Sequence, residues 1–352
     1  MSTPASIIPD AEAAHPEFYE ALAAQHVKAL WTIPGTLASE PTLDEVPHVW
    51  HARDLWPLLE KAAEFISPDE AERRAFNASN PKRVFGTSHN LVAGYQMVLP
   101  GETAPAHRHT PSAIRLMLQG SGITTVEGEP VWMERGDLVL TPPVSWHDHR
   151  HPGDEPMIWL DGLDVPFVRG QHAQFAEEYP NEQLQDLTRP QDASVSEYGV
   201  GLVPAHSTWT RKHSPLNKYA YSTTRPALLR LWEVEGSPTS GSTLEYVNPL
   251  TGGPVIPTIS SYLSYIPEGG ASKPERHTPS KIFCVLEGRG HSIINGERFD
   301  WEENDFFVVP SWHWYQHIAD QGDAVLYALS DWPIYEPFDL VRREVRDEYP
   351  TL

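Results

Sequence analysis

The chain has 352 residues and a formal net charge of -22, from 48 acidic and 26 basic side chains. This length is usual for about two domains, and the charge argues against nucleic acid or an anionic membrane as a partner. Hydrophobic residues make up 40% of the chain, but no stretch reaches the ~18 apolar residues that span a bilayer, and no signal pattern opens the chain. The single cysteine, Cys284, excludes an intrachain disulfide and favours a cytoplasmic location.

Residues 1–85 are predicted to form an N-terminal segment of helices and loops. An apolar stripe predicts a helix early in this segment, formed by Phe18, Leu22, Val27 and Leu30. Residues 54–64 have a similar helical pattern. The Ser-Pro pair at 67–68 provides a serine cap and a proline in the first turn, which predicts a short helix through Arg73 and Arg74. These arginines lie either on a solvated helix face or at a functional site.

Residues 86–165 form the first predicted β domain. Short apolar runs alternate here with glycine turns, which is typical of an antiparallel β-barrel or jelly roll. Residues 166–225 are polar and are predicted to be a linker with a helix, hinted at over 172–179. Residues 226–352 form a second predicted β domain.

A histidine cluster in the first β domain predicts a metal site. His107 and His109 are one residue apart and therefore share one face of a strand. His147 follows 38 residues after His109, a distance at which a rolled sheet can return it to the same mouth. Three imidazoles leave further coordination positions open for substrate or oxygen. The alternative is chance clustering on the surface or in the core, because the chain has 17 histidines.

The second β domain repeats the first. Residues 105–112 (PAHRHTPS) parallel 273–280 (KPERHTPS), and the motifs LQGSG and DLVLTP parallel LEGRG and DFFVVP. Ser145-Trp146-His147 is matched with Ser311-Trp312-His313, which predicts a loop two residues shorter in the second copy. Agreement in order, turns and histidines indicates a duplicated fold.

The second copy differs at the predicted ligands, because His107 is matched by Glu275. Glu275, His277 and His313 would form a two-histidine, one-carboxylate set that iron accepts. The alternative is a decayed site retained for packing and subunit contacts.

The combination of these motifs resembles the bicupin gentisate and salicylate 1,2-dioxygenases. The residues that carry the resemblance are GETAPAHRHT at 101–110, GDLVLTP at 136–142, WHDH at 146–149, WLDGLD at 159–164 and YVNPLTGG at 246–253. The resemblance covers the chain from about residue 45 to the end. It implies a mainly β fold of two tandem cupin (jelly-roll β-barrel) domains, with the catalytic metal in the first; the residue differences in the second favour a degenerate metal site there.

The resemblance also implies an activity and a set of site residues. Fe(II) would be held by His107, His109 and His147, and one O2 would open an aromatic ring between the carboxyl-bearing and hydroxyl-bearing carbons, an extradiol-type reaction. Arg115 would bind the substrate carboxylate; the flanking Ile114 and Leu116 place it on the opposite strand face from themselves. His149 would be the acid or base near the substrate hydroxyl. The remaining substrate-pocket positions would be Arg73, Val92, Gly94, Gln96 and Asp161.

Two positions bear on the ring substituent. Val92 stands where many family members have an aromatic residue, which predicts a wider pocket unless the change is neutral. Arg150 follows His149 where a small residue is common, and an extra cation there would favour a polar substituent. The expected substrates are therefore 5-substituted salicylates, hydroxyl or nitro, with 1-hydroxy-2-naphthoate as an alternative.

Other functions compete with the ring-cleaving enzyme. A non-oxidative metal-dependent cupin enzyme would share the three-histidine site, because imidazole suits zinc, copper, nickel and iron alike. A ligand sensor is disfavoured, since the chain has no basic helix pair for DNA. The resemblance implies a homo-oligomer, a tetramer.

Overall fold

The computed structural model describes residues 11–33, 35, 38–41, 44–66, 74–180, 184–235 and 241–351. They divide into two compact units, Met1–Asp44 and Glu45–Leu352. The smaller unit contains helix α1 (Ala11–Ala14), helix α2 (Pro16–Ala24) and a 3-10 turn (Leu30–Thr32). Proline in the first turn of α2 suits it to start the predicted N-terminal helix.

The larger unit begins with strand β1 (His48–Trp50) and helix α3 (Ala52–Ala63), which occupies the second predicted helix. Two antiparallel sheets then form the first barrel. One is ordered β12-β8-β5-β10-β3-β2 and the other β11-β4-β9-β6-β7. Their bounds are β2 Arg74–Asn77, β3 Val92–Val98, β4 Thr103–His109, β5 Ala113–Gln119, β6 Gly122–Val126, β7 Glu129–Met133, β8 Leu138–Thr141, β9 His147–Arg150, β10 Met157–Leu163, β11 Ala176–Glu178 and β12 Lys218–Tyr219.

The second barrel is one nine-stranded sheet, ordered β1-β18-β16-β19-β14-β13, with β15, β17 and β20 paired at its sides. Its two long strands, β16 and β19, each run through positions that are divided between two strands in the first barrel. The bounds are β13 Ser242–Tyr246, β14 Ser260–Ile266, β15 Glu275–His277, β16 Lys281–Ile294, β17 Glu297–Trp301, β18 Phe306–Val309, β19 Tyr315–Ser330 and β20 Arg343–Val345. The remaining helices are α4 Val165–Gly170, α5 Ala193–Tyr198, α6 Tyr221–Glu235, α7 Trp332–Tyr335 and a 3-10 turn, Glu336–Phe338.

Side-chain alternation divides the core into separate clusters. Along β5, Ile114 and Leu116 face a large cluster shared with the second barrel, including Phe306 and Leu329. The opposite face of the same strand contributes Met117 to a smaller cluster inside the first barrel, together with Trp159. Full burial of such side chains stabilises the fold by roughly 1.5–3 kcal/mol each. The prediction of a mainly β, duplicated fold is confirmed.

Two predicted helices are wrong in the described residues. Arg74 begins strand β2 and is 5% exposed, with its guanidinium donating to Glu102 and to the Ile66 carbonyl, so it does not lie on a solvated helix face. The helix hinted at over 172–179 is replaced by strand β11, which pairs with β4. Pairing between distant strands overrides the weak local helical pattern there.

Other predictions concern residues or boundaries that the described structure does not test. The helix start at 67–68 and Arg73 lie outside the described residues. The division at 1–85, 86–165, 166–225 and 226–352 stays a prediction. No helix in the described part of the chain is long and apolar enough to cross a membrane.

Candidate metal centre

Three histidines converge inside the first barrel. His107 and His109 lie on β4, and cross-strand pairing sets His107 opposite His147 of β9. The ring centroids are 4.0 Å apart for His107 and His147, 4.9 Å for His109 and His147, and 5.3 Å for His107 and His109. One nitrogen from each ring lies within 4.8 Å of the others, a spacing that can hold one metal ion.

The hydrogen bonds of two of these rings favour metal binding. The Nδ1 of His109 donates to the Pro111 carbonyl at 2.6 Å, and the Nδ1 of His147 donates to the Ser145 carbonyl at 3.0 Å. A ring that gives its Nδ1 proton to a carbonyl keeps a basic Nε2 lone pair, which is the usual metal-binding tautomer. The donor set therefore fits a divalent transition metal, and three neutral imidazoles leave its full charge for a chelating anion.

Arg115 faces the same interior. It is 3% exposed, its Nε lies 3.3 Å from the Asp161 carboxylate, and its guanidinium also donates to the Thr141 hydroxyl. Burial lowers the pKa of Arg115, while the Asp161 charge opposes that shift. A buried arginine held this way presents a planar cation that can bind a carboxylate through two parallel hydrogen bonds.

His149 lies two residues beyond His147 on β9 and is fully buried. Its Nδ1 is 2.9 Å from the Thr124 hydroxyl, and its ring lies 5.0 Å from that of Trp159 and 6.2 Å from that of His147. The imidazole is thereby held in one orientation beside the three-histidine cluster. No local sequence pattern marks Thr124, Thr141 and Trp159 as site residues, because their contacts with His149 and Arg115 join distant strands.

The other predicted pocket residues lie on strand β3. Val92 and Gln96 are buried, and Gln96 is paired across the sheet with Trp159. The amide nitrogen of Gln96 and the indole nitrogen of Trp159 are buried donors without an acceptor among the described residues. Gly94 is needed for packing, because a Cβ there would overlap the Phe76 carbonyl of β2.

Arg150 does not lie where a cation would favour a polar substituent on the substrate ring. It alternates with His149 along β9, and its guanidinium contacts the Asp148 carboxylate at 3.4 Å and the Gln185 carbonyl at 2.9 Å. The Asp148 carboxylate in turn accepts from the Gln185 amide. Arg150 therefore belongs to a network on the other face of the strand, so the expectation of a cation beside the substrate ring is wrong.

The second barrel places Tyr315, and not His313, at the position of His147. Glu275 pairs with Tyr315 across the sheet as His107 pairs with His147. The backbone N–H of Asn295 donates to the Trp314 carbonyl at 2.8 Å, as that of Glu127 donates to the Trp146 carbonyl at 2.9 Å. The predicted pairing of Ser311-Trp312-His313 with Ser145-Trp146-His147 is therefore wrong by two residues, and the two copies have equal spacing.

The carboxylate set of Glu275, His277 and His313 is wrong for the same reason. Tyr315 donates to Glu275, and the Tyr315 hydroxyl lies 3.0 Å from the His277 Nε2. Both groups that would face a metal are engaged with protein partners. The other described cluster with metal-ligand spacing, His291 with Asp300 and Asp320, is partly exposed, and Arg298 binds both of its carboxylates.

Comparison with known proteins agrees with this architecture. A cupin domain model matches residues 94–163 and 262–330, one in each barrel. The chain is 39% identical to gentisate 1,2-dioxygenase 1 from Aquipseudomonas alcaligenes, over 90% of this chain and 92% of that protein. It is 33% identical to 5-aminosalicylate 1,2-dioxygenase from Comamonas sp, over 98% and 92%.

A solved structure agrees over nearly the whole length. The crystal structure of salicylate 1,2-dioxygenase from Pseudoaminobacter salicylatoxidans as adducts with gentisate has a TM-score of 0.89 at 32% identity, covering 99% of this chain and 98% of that one. Identity above 30% over most of both chains, two cupin matches and the three-histidine cluster all agree. The chain therefore belongs to the bicupin gentisate/salicylate 1,2-dioxygenase family of ring-cleaving oxidoreductases.

Proposed function

We propose that this protein is an Fe(II)-dependent dioxygenase that opens 2-hydroxybenzoates between the carboxyl-bearing and hydroxyl-bearing carbons. The observation that carries the proposal is the convergence of His107, His109 and His147 in the barrel that also buries Arg115. This arrangement places a metal-binding face and a carboxylate-binding cation in one interior. Bound Fe(II) would supply a positive charge for the substrate's carboxylate and phenolate oxygens and a position for O2.

Arg115 is proposed to orient the substrate through its carboxylate. The Asp161 contact at 3.3 Å keeps the buried cation paired, and the Thr141 hydroxyl fixes a second part of the guanidinium. A fixed guanidinium restricts the rotation of a planar carboxylate, so the neighbouring ring carbons are presented in one direction. Arg73 stays a predicted second contact with the substrate.

His149 is proposed to hold or move a proton at the substrate hydroxyl. Thr124 engages the Nδ1 atom of this ring, and we assign the proton exchange to Nε2. Trp159 packs against the same imidazole and limits the access of water. A buried imidazole at a fixed orientation suits general acid–base catalysis near neutral pH.

The proposed substrates are salicylates that carry a 5-substituent. Relatives named for gentisate, which is 5-hydroxysalicylate, and for 5-aminosalicylate support this class. Val92 is buried on the strand that also bears Gln96, and its side chain is smaller than the aromatic ring expected there. The proposed cleavage would be extradiol-type only in a wider sense, because the bond would lie between a carboxyl-bearing and a hydroxyl-bearing carbon.

Oxygen uptake by anaerobically purified, Fe(II)-loaded protein tests this function. The compounds are gentisate, salicylate, 5-aminosalicylate, 5-nitrosalicylate and 1-hydroxy-2-naphthoate, and His147→Ala is the control. We expect uptake with at least one 5-substituted salicylate and none with the control variant. Turnover without oxygen consumption would replace the proposal by a non-oxidative cupin enzyme. Uptake confined to 1-hydroxy-2-naphthoate would overturn the substrate class alone.

We also propose a cytoplasmic homotetramer. The single cysteine, Cys284, is buried, which suits a reducing compartment. Light scattering coupled to gel filtration would give the oligomeric state directly, and a monomer at micromolar concentration would contradict the assembly.

A further inference from the structure

A cavity of about 780 Å³ lies in the second barrel, away from the three-histidine cluster. Its walls come from β14, β16 and β19, and Lys273 and Glu336 are also among the residues that line it. The volume is in the range of pockets that bury a small molecule. The residues that line it differ in kind from a filled apolar core, since several charged and polar side chains point into the same space.

Lys281 is the cation of this cavity. Its side chain is 15% exposed, and its ammonium lies 3.0 Å from the Tyr315 hydroxyl and 3.3 Å from the Glu275 carboxylate. The described residues therefore supply acceptors for two of its three ammonium protons. The Tyr262 ring lies 5.2 Å from the same nitrogen, so this end of the cavity combines an ammonium donor with an aromatic face.

Two cations share one carboxylate at this end of the cavity. Glu275 is shared between Lys281 and Arg343, whose guanidinium donates to its other oxygen at 2.7 Å. Burial opposes ionisation of Glu275, but Lys281 and Arg343 hold the pKa of its carboxyl well below the usual range. One carboxylate thus faces two cations. Glu245 lines the same cavity and burial raises the pKa of its carboxyl, while Lys273 is paired with Asp347 at 3.1 Å.

His317 supplies a second polar group, and its tautomer follows from its neighbours. Ser292 accepts a hydrogen bond from the Trp301 indole at 2.9 Å and lies 2.7 Å from the His317 Nδ1. That Nδ1 is the acceptor the structure offers to the Ser292 hydroxyl proton, so the neutral ring carries its own proton on Nε2. His317 is 4% exposed and lines the cavity, and its Nε2 has no partner among the described residues.

Aromatic side chains complete the walls. The Phe283 ring lies 4.4 Å from that of His317 and 5.8 Å from that of Tyr315. Together with Tyr262, which also lines the cavity, they favour a flat apolar body over a branched or strongly hydrated one. The shape and the polar groups therefore select for the same kind of ligand, a planar ring with an anionic end.

We propose that the second barrel is a metal-independent binding site for a small aromatic monocarboxylate. Its carboxylate would accept from Lys281, its ring would lie against Phe283, and an acceptor atom elsewhere on the ligand would meet the Nε2 proton of His317. The site is separate from the iron chemistry proposed for the first barrel. It gives each chain two places for an aromatic carboxylate, which differ in whether a metal takes part.

Equilibrium dialysis with labelled benzoate tests this site on the Fe(II)-loaded, full-length protein without oxygen. We expect two benzoates per wild-type chain and one per Lys281→Met chain. In the separate activity assay, oxygen uptake by Lys281→Met should be unchanged. Arg115→Met should also bind one benzoate, at the second barrel. The matched control is Lys273→Met, which removes the same charge from a side chain that is 65% exposed and should still bind two.

The outcomes separate the two barrels. Two benzoates in Lys281→Met, or a single wild-type site that Arg115→Met abolishes, would overturn the proposal. Ser292→Ala provides a second test that keeps every charge. It removes the hydroxyl that fixes the proton of His317 on Nε2. This variant should bind 4-hydroxybenzoate at the second site several-fold more weakly than the wild type. Benzamide, which lacks the carboxylate anion, should not bind at that site. If Lys281→Met fails to fold, the wild-type stoichiometry and Ser292→Ala decide the question.

Discussion

The two barrels have the same strand pairing but opposite interiors. The first gathers His107, His109 and His147 and keeps Arg115 paired with Asp161. At the equivalent cross-strand positions the second has Glu275, His277, Tyr315, Phe283 and Ala328. The ligand set and the carboxylate anchor have been replaced together, and tyrosine and phenylalanine fill part of the volume. The comparison supports the proposal that the three histidines and Arg115 act together.

Two histidine positions are retained in both barrels, His109 as His277 and His149 as His317. His149 and His317 each lie two residues beyond the third ligand position, and each ring meets a hydroxyl, from Thr124 at 2.9 Å or from Ser292 at 2.7 Å. A hydroxyl-bound histidine is therefore compatible with either interior. What distinguishes the barrels is whether a metal-binding face lies beside it.

The largest expected effect comes from exchanging the third ligand position. His147→Tyr gives the first barrel the residue that the second barrel has there. We expect it to fold, because Tyr315 is accommodated at this position, but to lose iron and reduce oxygen uptake by more than about 100-fold, since even groups that only orient a ligand are worth about 10–100-fold. Iron content and uptake measured on the same sample check this.

The reciprocal variant is the control. Tyr315→His should gain no iron, because Lys281 and Arg343 still occupy the Glu275 carboxylate. One extra iron per chain in Tyr315→His, or full iron content in His147→Tyr, would contradict the comparison.

The second prediction exchanges the buried ion pair. Arg115→Phe leaves Asp161 as a buried charge without its cation, which typically costs about 3–5 kcal/mol of stability. Arg115→Phe combined with Asp161→Ala reproduces the residues of the second barrel and should recover most of that loss, since apolar replacement of a whole pair is close to neutral. Urea unfolding of both variants measures the difference.

In Arg115→Phe and in its combination with Asp161→Ala, kcat/KM should not change in parallel with the free energy of unfolding. Both should lower kcat/KM by about 100-fold, because a charge-assisted hydrogen bond to the substrate carboxylate is lost in each. A double variant that recovers kcat/KM along with stability would show that Arg115 has only a structural role.

Much of this arrangement could be predicted from the sequence because it depends on local periodicity. The alternation of side chains along a strand placed His107 and His109 on one face and set Arg115 opposite Ile114 and Leu116. The repeated motifs gave the duplicated fold, which the structure and the comparisons confirm. The roles of the individual residues stay predictions.

The errors come from contacts between distant strands. His313 was chosen because a Ser-Trp-His triplet repeats by coincidence, whereas the strand register assigns that position to Tyr315. Arg74 is buried because β2 adds to the sheet edge beside β3, which no local pattern records. No local pattern marks Thr124 or Trp159 as a neighbour of His149, because they meet it only once the barrel has closed.

The third prediction concerns the retained histidine that meets a hydroxyl. Thr124→Val removes the hydroxyl that orients His149 and should lower kcat by about 10-fold with little change in KM. Ser292→Ala is its counterpart in the second barrel and should leave kcat unchanged. Steady-state oxygen uptake separates the two, and equal losses in both variants would mean that the histidines act through the general stability of the fold.

The smallest expected effect is a pH dependence of stability from the second barrel. Burial lowers the pKa of both His277 and His317 to about 3, below the value near 6.5 of the unfolded chain. The unfolded state therefore binds more protons, and the stabilisation present above pH 6.5 is lost progressively as the pH falls below it. Each histidine contributes at most about 1.4 kcal/mol per pH unit. Glu275, whose pKa is also lowered, adds its loss only below about pH 4.5.

Urea unfolding at pH 7, 6 and 5 isolates the contribution of His317. Burial also lowers the pKa of His213 and His313, whereas Glu45 and Asp331 outweigh burial and raise the pKa of His89, so the wild-type slope sums several groups. His317→Gln removes one of these groups while keeping a side chain that can bond Ser292, and it should lessen the acid loss by about 1 kcal/mol per pH unit. An unchanged slope would mean that His317 takes up a proton in the folded protein. The neutral Nε2–H donor that we assign to His317 in the second barrel would then be absent, and the ring would carry a positive charge.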